Sequence, residues 1–158
     1  MAAPAETLEY AVKATFVYKF AGFVDWPATS FESPSSPVTI CVLGSDPVAA
    51  LIDQAAAGRQ VGDRTVAVKY LQIFVRDSGC NILYVAANMP GDAANAARGA
   101  PVLTVGASPR AEAGGTIVTF VVQDNRVRFD IDDAAAAENG LAISSKLLSL
   151  ARAVRPRP

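Results

Sequence analysis

Histidine is absent from all 158 residues. That absence removes Ser-His-Asp and Cys-His catalysis and every histidine metal site at once. Cysteine is almost absent too: Cys41 and Cys80 stand far apart, with no C-x-x-C pair to serve a redox catalyst. No P-loop or dinucleotide-binding glycine spacing occurs, and no calcium-loop spacing of acidic residues. No stretch of 18 uninterrupted apolar residues is present, so no membrane-spanning helix is predicted. Fourteen basic residues face fifteen acidic ones, a net charge of −1, which leaves no basic field for nucleic acid or for an anionic membrane. The expectation is a non-enzymatic protein with no cofactor, no metal, no nucleic-acid partner and no direct membrane insertion.

What is present is apolar side chain. Hydrophobic residues make up 51% of the chain and charged residues 18%, which excludes global disorder. A chain of this length forms one domain, 1–158, and buries about two-thirds of its unfolded surface. Residues 1–7 and 155–158 read as flexible tails. Arg152, Arg155 and Arg157, interleaved with Pro156 and Pro158, read as part of a solvated end. The opening Met1-Ala-Ala-Pro-Ala-Glu has neither the basic region nor the apolar core of a signal peptide. It looks like the small-residue stretch that follows signal cleavage, restarted with a methionine, and so points to an exported protein.

Residues 8–26 read as a helix, with Val12, Phe16, Phe20, Phe23 and Val24 near helical spacing. Trp26-Pro27 stops it, because the residue before proline avoids helical geometry. A Pro/Ser/Thr loop covers 28–37. Residues 38–43 (VTICVL) form a short buried strand. Asp46 and Pro47 then open a helix that closes at Gly58. Strands follow at 65–71, 81–87 and 102–107, with a small helix at 92–98 between the last two. Hydrophobic strands alternating with helices predict an α/β fold, a largely parallel sheet flanked by helices on both faces.

The C-terminal part adds a β-hairpin to that sheet. Residues 116–122 and 126–131 are strands joined by Gln123-Asp124-Asn125. Val127, Phe129 and Ile131 alternate with Arg126, Arg128 and Asp130, so one face is buried. Asp132 caps a short alanine helix that stops at Asn139-Gly140. Residues 141–143 are extended. Ser144 or Ser145 caps a last helix, with Leu147, Leu150, Ala151 and Val154 along one side.

Three places invite a functional reading. Ligands of parallel sheets gather beyond the strand C-termini, which here carry Gly44, Ser45, Asp46, Asn88 and Ser108. Asp46 as a simple helix cap is the plainer reading. Asp130, Asp132 and Asp133 form an acidic cluster, but Asp132 is already needed as a cap. Cys41 and Cys80 fall on or beside strands that are commonly neighbours in such sheets. They are either a disulfide or two buried thiols, and the exported-looking start favours the disulfide.

Four stretches together resemble the YfiR-like periplasmic proteins of Gram-negative bacteria. They are the opening Lys13-Ala14-x-Phe16-x-Tyr18-x-Phe20-Ala21-x-Phe23-Val24-x-Trp26-Pro27, then Ile40–Gly44 (ICVLG), then Cys80–Val85 (CNILYV). The fourth is Asn125–Ile131 (NRVRFDI) followed by Gly140-Leu141-x-Ile143-Ser144-Ser145-Lys146-Leu147-Leu148. In this order they run from about residue 9 to 154.

The resemblance implies an α/β sandwich and a periplasmic regulator, homodimeric in some members. Such a regulator holds an inner-membrane diguanylate cyclase inactive by binding its periplasmic sensor domain. An outer-membrane lipoprotein can sequester the repressor, which raises cyclic-di-GMP and biofilm formation. Cys41 and Cys80 match the positions of a family disulfide. A second bridge of the best-known members, in the hairpin region, has no cysteine here. For such a protein the expected partner-binding residues are Arg126, Arg128, Leu141, Ile143, Lys146 and Arg152, since aliphatic and arginine side chains together suit an interface. Leu141 and Ile143 also read as core, and the two hairpin arginines as a solvated strand face. The alternative function is a small-ligand sensor or carrier using the strand rim with Trp26 or Tyr84.

Overall fold

A computed structural model describes residues 4–90, 92–107 and 115–158, with side chains described from residue 8 onward. Helix α1 covers Pro4–Lys19 and tightens into a 3-10 turn at Phe20–Phe23. Residues 4–7, expected as tail, are therefore already helical. The chain then makes the short strand β1 (Val24–Asp25) before Trp26-Pro27 ends the element. Next come β2 (Val38–Leu43), α2 (Ala49–Ala56), β3 (Gln60–Val61) and β4 (Arg64–Leu71). β5 (Ile82–Val85) and β6 (Leu103–Ala107) are separated by a 3-10 helix at Ala93–Ala97. The C-terminal part contains β7 (Val118–Gln123), β8 (Arg126–Asp132), α3 (Asp133–Glu138), β9 (Ala142–Ile143), α4 (Ser145–Leu150) and β10 (Ala153–Arg155).

The main sheet has eight strands in the order β10-β8-β7-β6-β5-β2-β4-β3. Its centre is parallel, from β4 through β2, β5 and β6 to β7. Only the β7–β8 and β3–β4 pairs are antiparallel. This is the α/β sandwich with an added hairpin that the pattern predicted. The hairpin turn is tighter than expected, two residues instead of three. Gln123 pairs with Arg126, and Asp124 and Asn125 both take positive φ, 53° and 61°. That geometry is a type I′ turn, whose twist matches the flanking strands, and Asp and Asn are among the few residues that tolerate it.

One face of the sheet carries the main core. Ile40, Val42, Ile82, Tyr84, Val105, Phe120 and Phe129 point into it, and α1 and α2 cover it. Phe20 is 1% exposed and its ring lies 5.3 Å from Phe129 and 5.9 Å from Phe120. The aromatics of the opening helix are thus packing residues. The opposite face has a smaller cluster of Cys41, Leu43, Leu83, Ala97 and Val102 beneath the 3-10 helix Ala93–Ala97.

The end of the chain departs from expectation. α4 is only six residues long. Ala151 leaves it with φ −69° and ψ 146°, and the Arg152 N–H donates to the Phe129 carbonyl at 2.8 Å. Of the four apolar residues that suggested a longer helix, only Leu147 is buried; Leu150 is 56% exposed. Pairing with β8 captures residues 153–155 as a parallel strand instead. Arg155 and Arg157, expected in a solvated tail, are tied down by Asp132 at 3.3 Å and Asp133 at 3.0 Å.

Candidate functional site

At the end of β2 the strand C-terminal rim, the usual place for a ligand, is closed on itself. Gly44 ends β2 with φ 86°, a conformation only glycine adopts without strain, and a Cβ there would lie 2.5 Å from Asn88 Oδ1 and 2.6 Å from Met89 Cγ. Asn88 Oδ1 accepts from the Ser45 N–H at 2.8 Å, and its amide nitrogen donates to Ser45 Oγ at 3.2 Å. Asp46 caps the approach to α2 as predicted, accepting from the Ala49 N–H at 2.6 Å. Its other oxygen accepts from Tyr84 Oη and from the Ala87 N–H, both at 2.8 Å. The side chains of Ser45, Asp46 and Asn88 are thus committed to neighbours. Ser108, also placed on this rim, lies outside the described residues.

Burial, the charge of Asp46 and the hydrogen bond to it, in that order, push the Tyr84 hydroxyl far above its ordinary value of 10.0. The sign of the consequence follows from linkage. Because the native state holds this proton more tightly than the unfolded chain does, the contribution is complete below pH 10 and is lost as pH rises above it. Tyr84→Phe should remove that alkaline loss while costing about 1–2 kcal/mol at neutral pH through the lost hydrogen bond to Asp46, whose oxygen keeps the Ala87 N–H. Urea midpoints at pH 7 and pH 10.5 measure both. Parallel declines in the two proteins would contradict the assignment.

A cavity of about 670 Å³ lies at the opposite end of the sheet, beside the N-termini of β2 and β4. Trp26, Phe31, Asp25, Glu32 and Arg64 are among its walls. The Trp26 indole N–H donates to the Asn81 carbonyl at 3.0 Å, which holds the ring in place. Arg64 stacks over Phe31, 3.6 Å from the ring centroid, and donates to the carbonyls of Ser33 and Ser36. Trp26, already suspected from the sequence, is on this cavity, whereas Tyr84 is in the core at the far rim. The loop that supplies Phe31 and Glu32 had no motif to announce it. Only its length and its adjacency to Trp26 were visible.

The residues expected to bind a partner are not all at the surface. Leu141 and Ile143 are 1% and 8% exposed and belong to the core. They have no free side chain with which to dock. Arg126 is exposed and Arg128 half-buried on β8, on the sheet face opposite Phe129 and Ile131. Lys146 is exposed on α4, whose Leu147 packs into the core on the α1 side. Arg152 makes a two-pronged contact with Asp130, 2.9 and 2.6 Å, and this hydrogen bond holds its guanidinium above the ordinary range. The three carboxylates of the acidic cluster each take an arginine: Asp130 with Arg152, Asp132 with Arg155, Asp133 with Arg157. Asp132 also caps α3 through the Ala135 N–H at 3.0 Å, as its position predicted.

Cys41 and Cys80 are joined in a disulfide, with Cα atoms 5.7 Å apart. The bridge sits in the smaller cluster, between β2 and the residue pair that leads into β5. Asn139, read in the sequence as a helix stop, has a second task. Its buried amide accepts from the Gly99 N–H at 2.8 Å and donates to the Val102 carbonyl at 2.9 Å, tying α3 to the start of β6.

No curated protein matches the chain. A family model described as YfiR/HmsC-like matches residues 10–152, a span that takes in the opening aromatic helix, both cysteines and the hairpin, and the chain belongs to that family.

Proposed function

We propose that this protein is a periplasmic, non-enzymatic regulator. It binds the periplasmic sensor domain of an inner-membrane diguanylate cyclase and holds the enzyme inactive, and an outer-membrane lipoprotein of the same system relieves the block. The observation that carries this reading is family membership over residues 10–152. The disulfide adds to it, because such bridges persist in oxidising compartments. No helix among the described residues is long and apolar enough to cross a membrane. The mechanism is thermodynamic. The regulator binds one state of the sensor more tightly and shifts the population toward it.

Of the expected contact residues, Arg126, Lys146 and Arg152 are exposed and Arg128 is half-buried, with Arg152 held by Asp130. Arg126 and Arg128 share one strand face next to the hairpin turn, a rigid base from which to present charge. Arg126→Glu/Arg128→Glu should weaken capture of the purified sensor domain by about tenfold, as charge reversal at an interface does. The same substitutions should leave the melting temperature within about 2 °C, because Arg126 is exposed and Arg128 lies only half-buried on the strand face away from the main core. Capture at undiminished affinity would rule out this surface. Failure of the unaltered protein to bind the sensor domain, or to lower cyclic-di-GMP when the two are co-expressed, would refute the regulatory reading itself.

A second reading, a small-ligand sensor, is favoured by the cavity beside Trp26. Its volume falls in the range of small-molecule sites, about 300–1,000 Å³. A saturable rise in melting temperature with a metabolite, lost in Trp26→Ala, separates it from a role confined to protein partners.

A further inference from the structure

β10 is fastened to the sheet without burying any of its own side chains. It pairs only with Asp130, Ile131 and Asp132 of β8, and Ala153, Val154 and Arg155 are all exposed. Polar attachments do the holding. The Arg152 N–H donates to the Phe129 carbonyl at 2.8 Å. Arg152, Arg155 and Arg157 reach Asp130, Asp132 and Asp133 at 2.6, 3.3 and 3.0 Å, and Arg157 also donates to the Leu141 carbonyl. The Arg152 and Arg155 pairs are exposed and individually weak, the Arg157 pair is partly buried against Asp133, and an element without buried apolar contacts lies at the low end of local stability.

The site beneath β10 is specific all the same. Lifting the strand uncovers one edge of β8, whose other edge is paired along its length with β7. A bare edge accepts a strand of matching pattern. Here the match is an extended segment with arginines at positions i, i+3 and i+5, set against three carboxylates. Residues 152–157 have that pattern, and every copy of the chain carries them. The link to α4 is ready for the exchange. It consists of Ala151, which is already extended.

We propose that the β8 edge is a docking site for residues 152–157 of a second copy, so that two copies exchange β10 reciprocally. The bonds made in the exchanged pair are the same as those made within one chain. Concentration and the short link therefore set the balance, with no new contact required. A short link gives an effective concentration of about a millimolar, so the strand stays at home at micromolar concentration and exchanges as copies crowd together. This inference does not rest on the cyclase reading.

Two full-length variants, Asp130→Cys and Ala153→Cys, test it when mixed and mildly oxidised with the native bridge intact. Residues 130 and 153 are register partners, so a mixed dimer linked 130–153 requires the strand of one copy to lie on the other. The expected result is a 130–153 link, identified by peptide mass, that rises from about 10 μM to about 1 mM protein. It should exceed by about fivefold the yield from an off-register mixture of Asp130→Cys with Arg157→Cys, since exchange preserves register. The mixture of Ile131→Cys with Val154→Cys, also register partners, repeats the test with the Asp130–Arg152 pair intact. Equal yields on and off register, or no mixed dimer at about 1 mM in either on-register mixture, would overturn the proposal.

Discussion

Cys41→Ala/Cys80→Ala is expected to lower the unfolding free energy by about 4 kcal/mol, the chain-entropy cost of opening a loop of this length. The bridged residues are 39 apart in sequence, so the cross-link restricts the unfolded chain over a quarter of its length. For a domain of this size the melting temperature should fall by about 8–16 °C. Both sulfurs are within a packed cluster, Cys41 fully buried and Cys80 7% exposed. Each alanine removes one buried sulfur atom, a small packing cost that adds to the larger effect on the unfolded state. Urea unfolding with and without reductant gives the same comparison in the unaltered protein. A loss below about 1 kcal/mol would mean that the unfolded chain is already compact around this loop.

Phe20→Ala is expected to cost about 3–5 kcal/mol, the range for removing a fully buried aromatic ring. Phe20 is where the opening helix tightens, and its ring meets three others. Phe16 is stacked at 5.8 Å, Phe120 lies at 5.9 Å, and Phe129 meets it edge-on at 5.3 Å. The cavity left behind would be bounded by two β-strands of the central sheet system, β7 and β8, which cannot collapse inward as a loop would. Phe16→Ala should cost less, because Phe16 is half-exposed and keeps only part of its ring in the core. Thermal unfolding of the two variants ranks them. Equal losses would show that the ring cluster is not anchored at residue 20.

Much of this architecture was legible in the residues. Runs such as VTICVL and NILYVAA have no polar alternation, and strands buried on both sides need none. That made a parallel sheet with crossovers the economical reading. The hairpin was visible because Arg126 to Ile131 alternates cleanly, and the caps Asp46, Asp132 and Ser144 each accept the helix N–H that their position suggested. What failed was short. β1, β3, β9 and β10 are two or three residues long, less than the span over which a period of two can be seen. β10 was also disguised, since Leu147, Leu150, Ala151 and Val154 keep a helical spacing that pairing with β8 overrides.

The candidate sites divide in the same way. The rim around Gly44 and Asp46 was found from turn chemistry, but its closure depends on Asn88 arriving from more than forty residues away. The cavity beside Trp26 is made by elements that meet only after folding, the loop after Pro27 and the β3–β4 turn at Gly62. The acidic cluster and the arginines at 152, 155 and 157 were each noticed alone. Their match as three pairs required the parallel register of β10 on β8.

The pairing of β1 with β9 has a consequence in time. Val24 sits opposite Ile143, and the Ser144 N–H donates to the Phe23 carbonyl at 2.8 Å. Phe16 and Phe20, made early in synthesis, rest on Phe120 and Phe129, made late. A ribosome delivering this chain in order releases a sticky helix roughly a hundred residues before anything exists to shelter it, the kind of long-distance dependence that slows maturation. Completion waits for the last segment to emerge, and until then the polypeptide is threadable but vulnerable, in want of an escort.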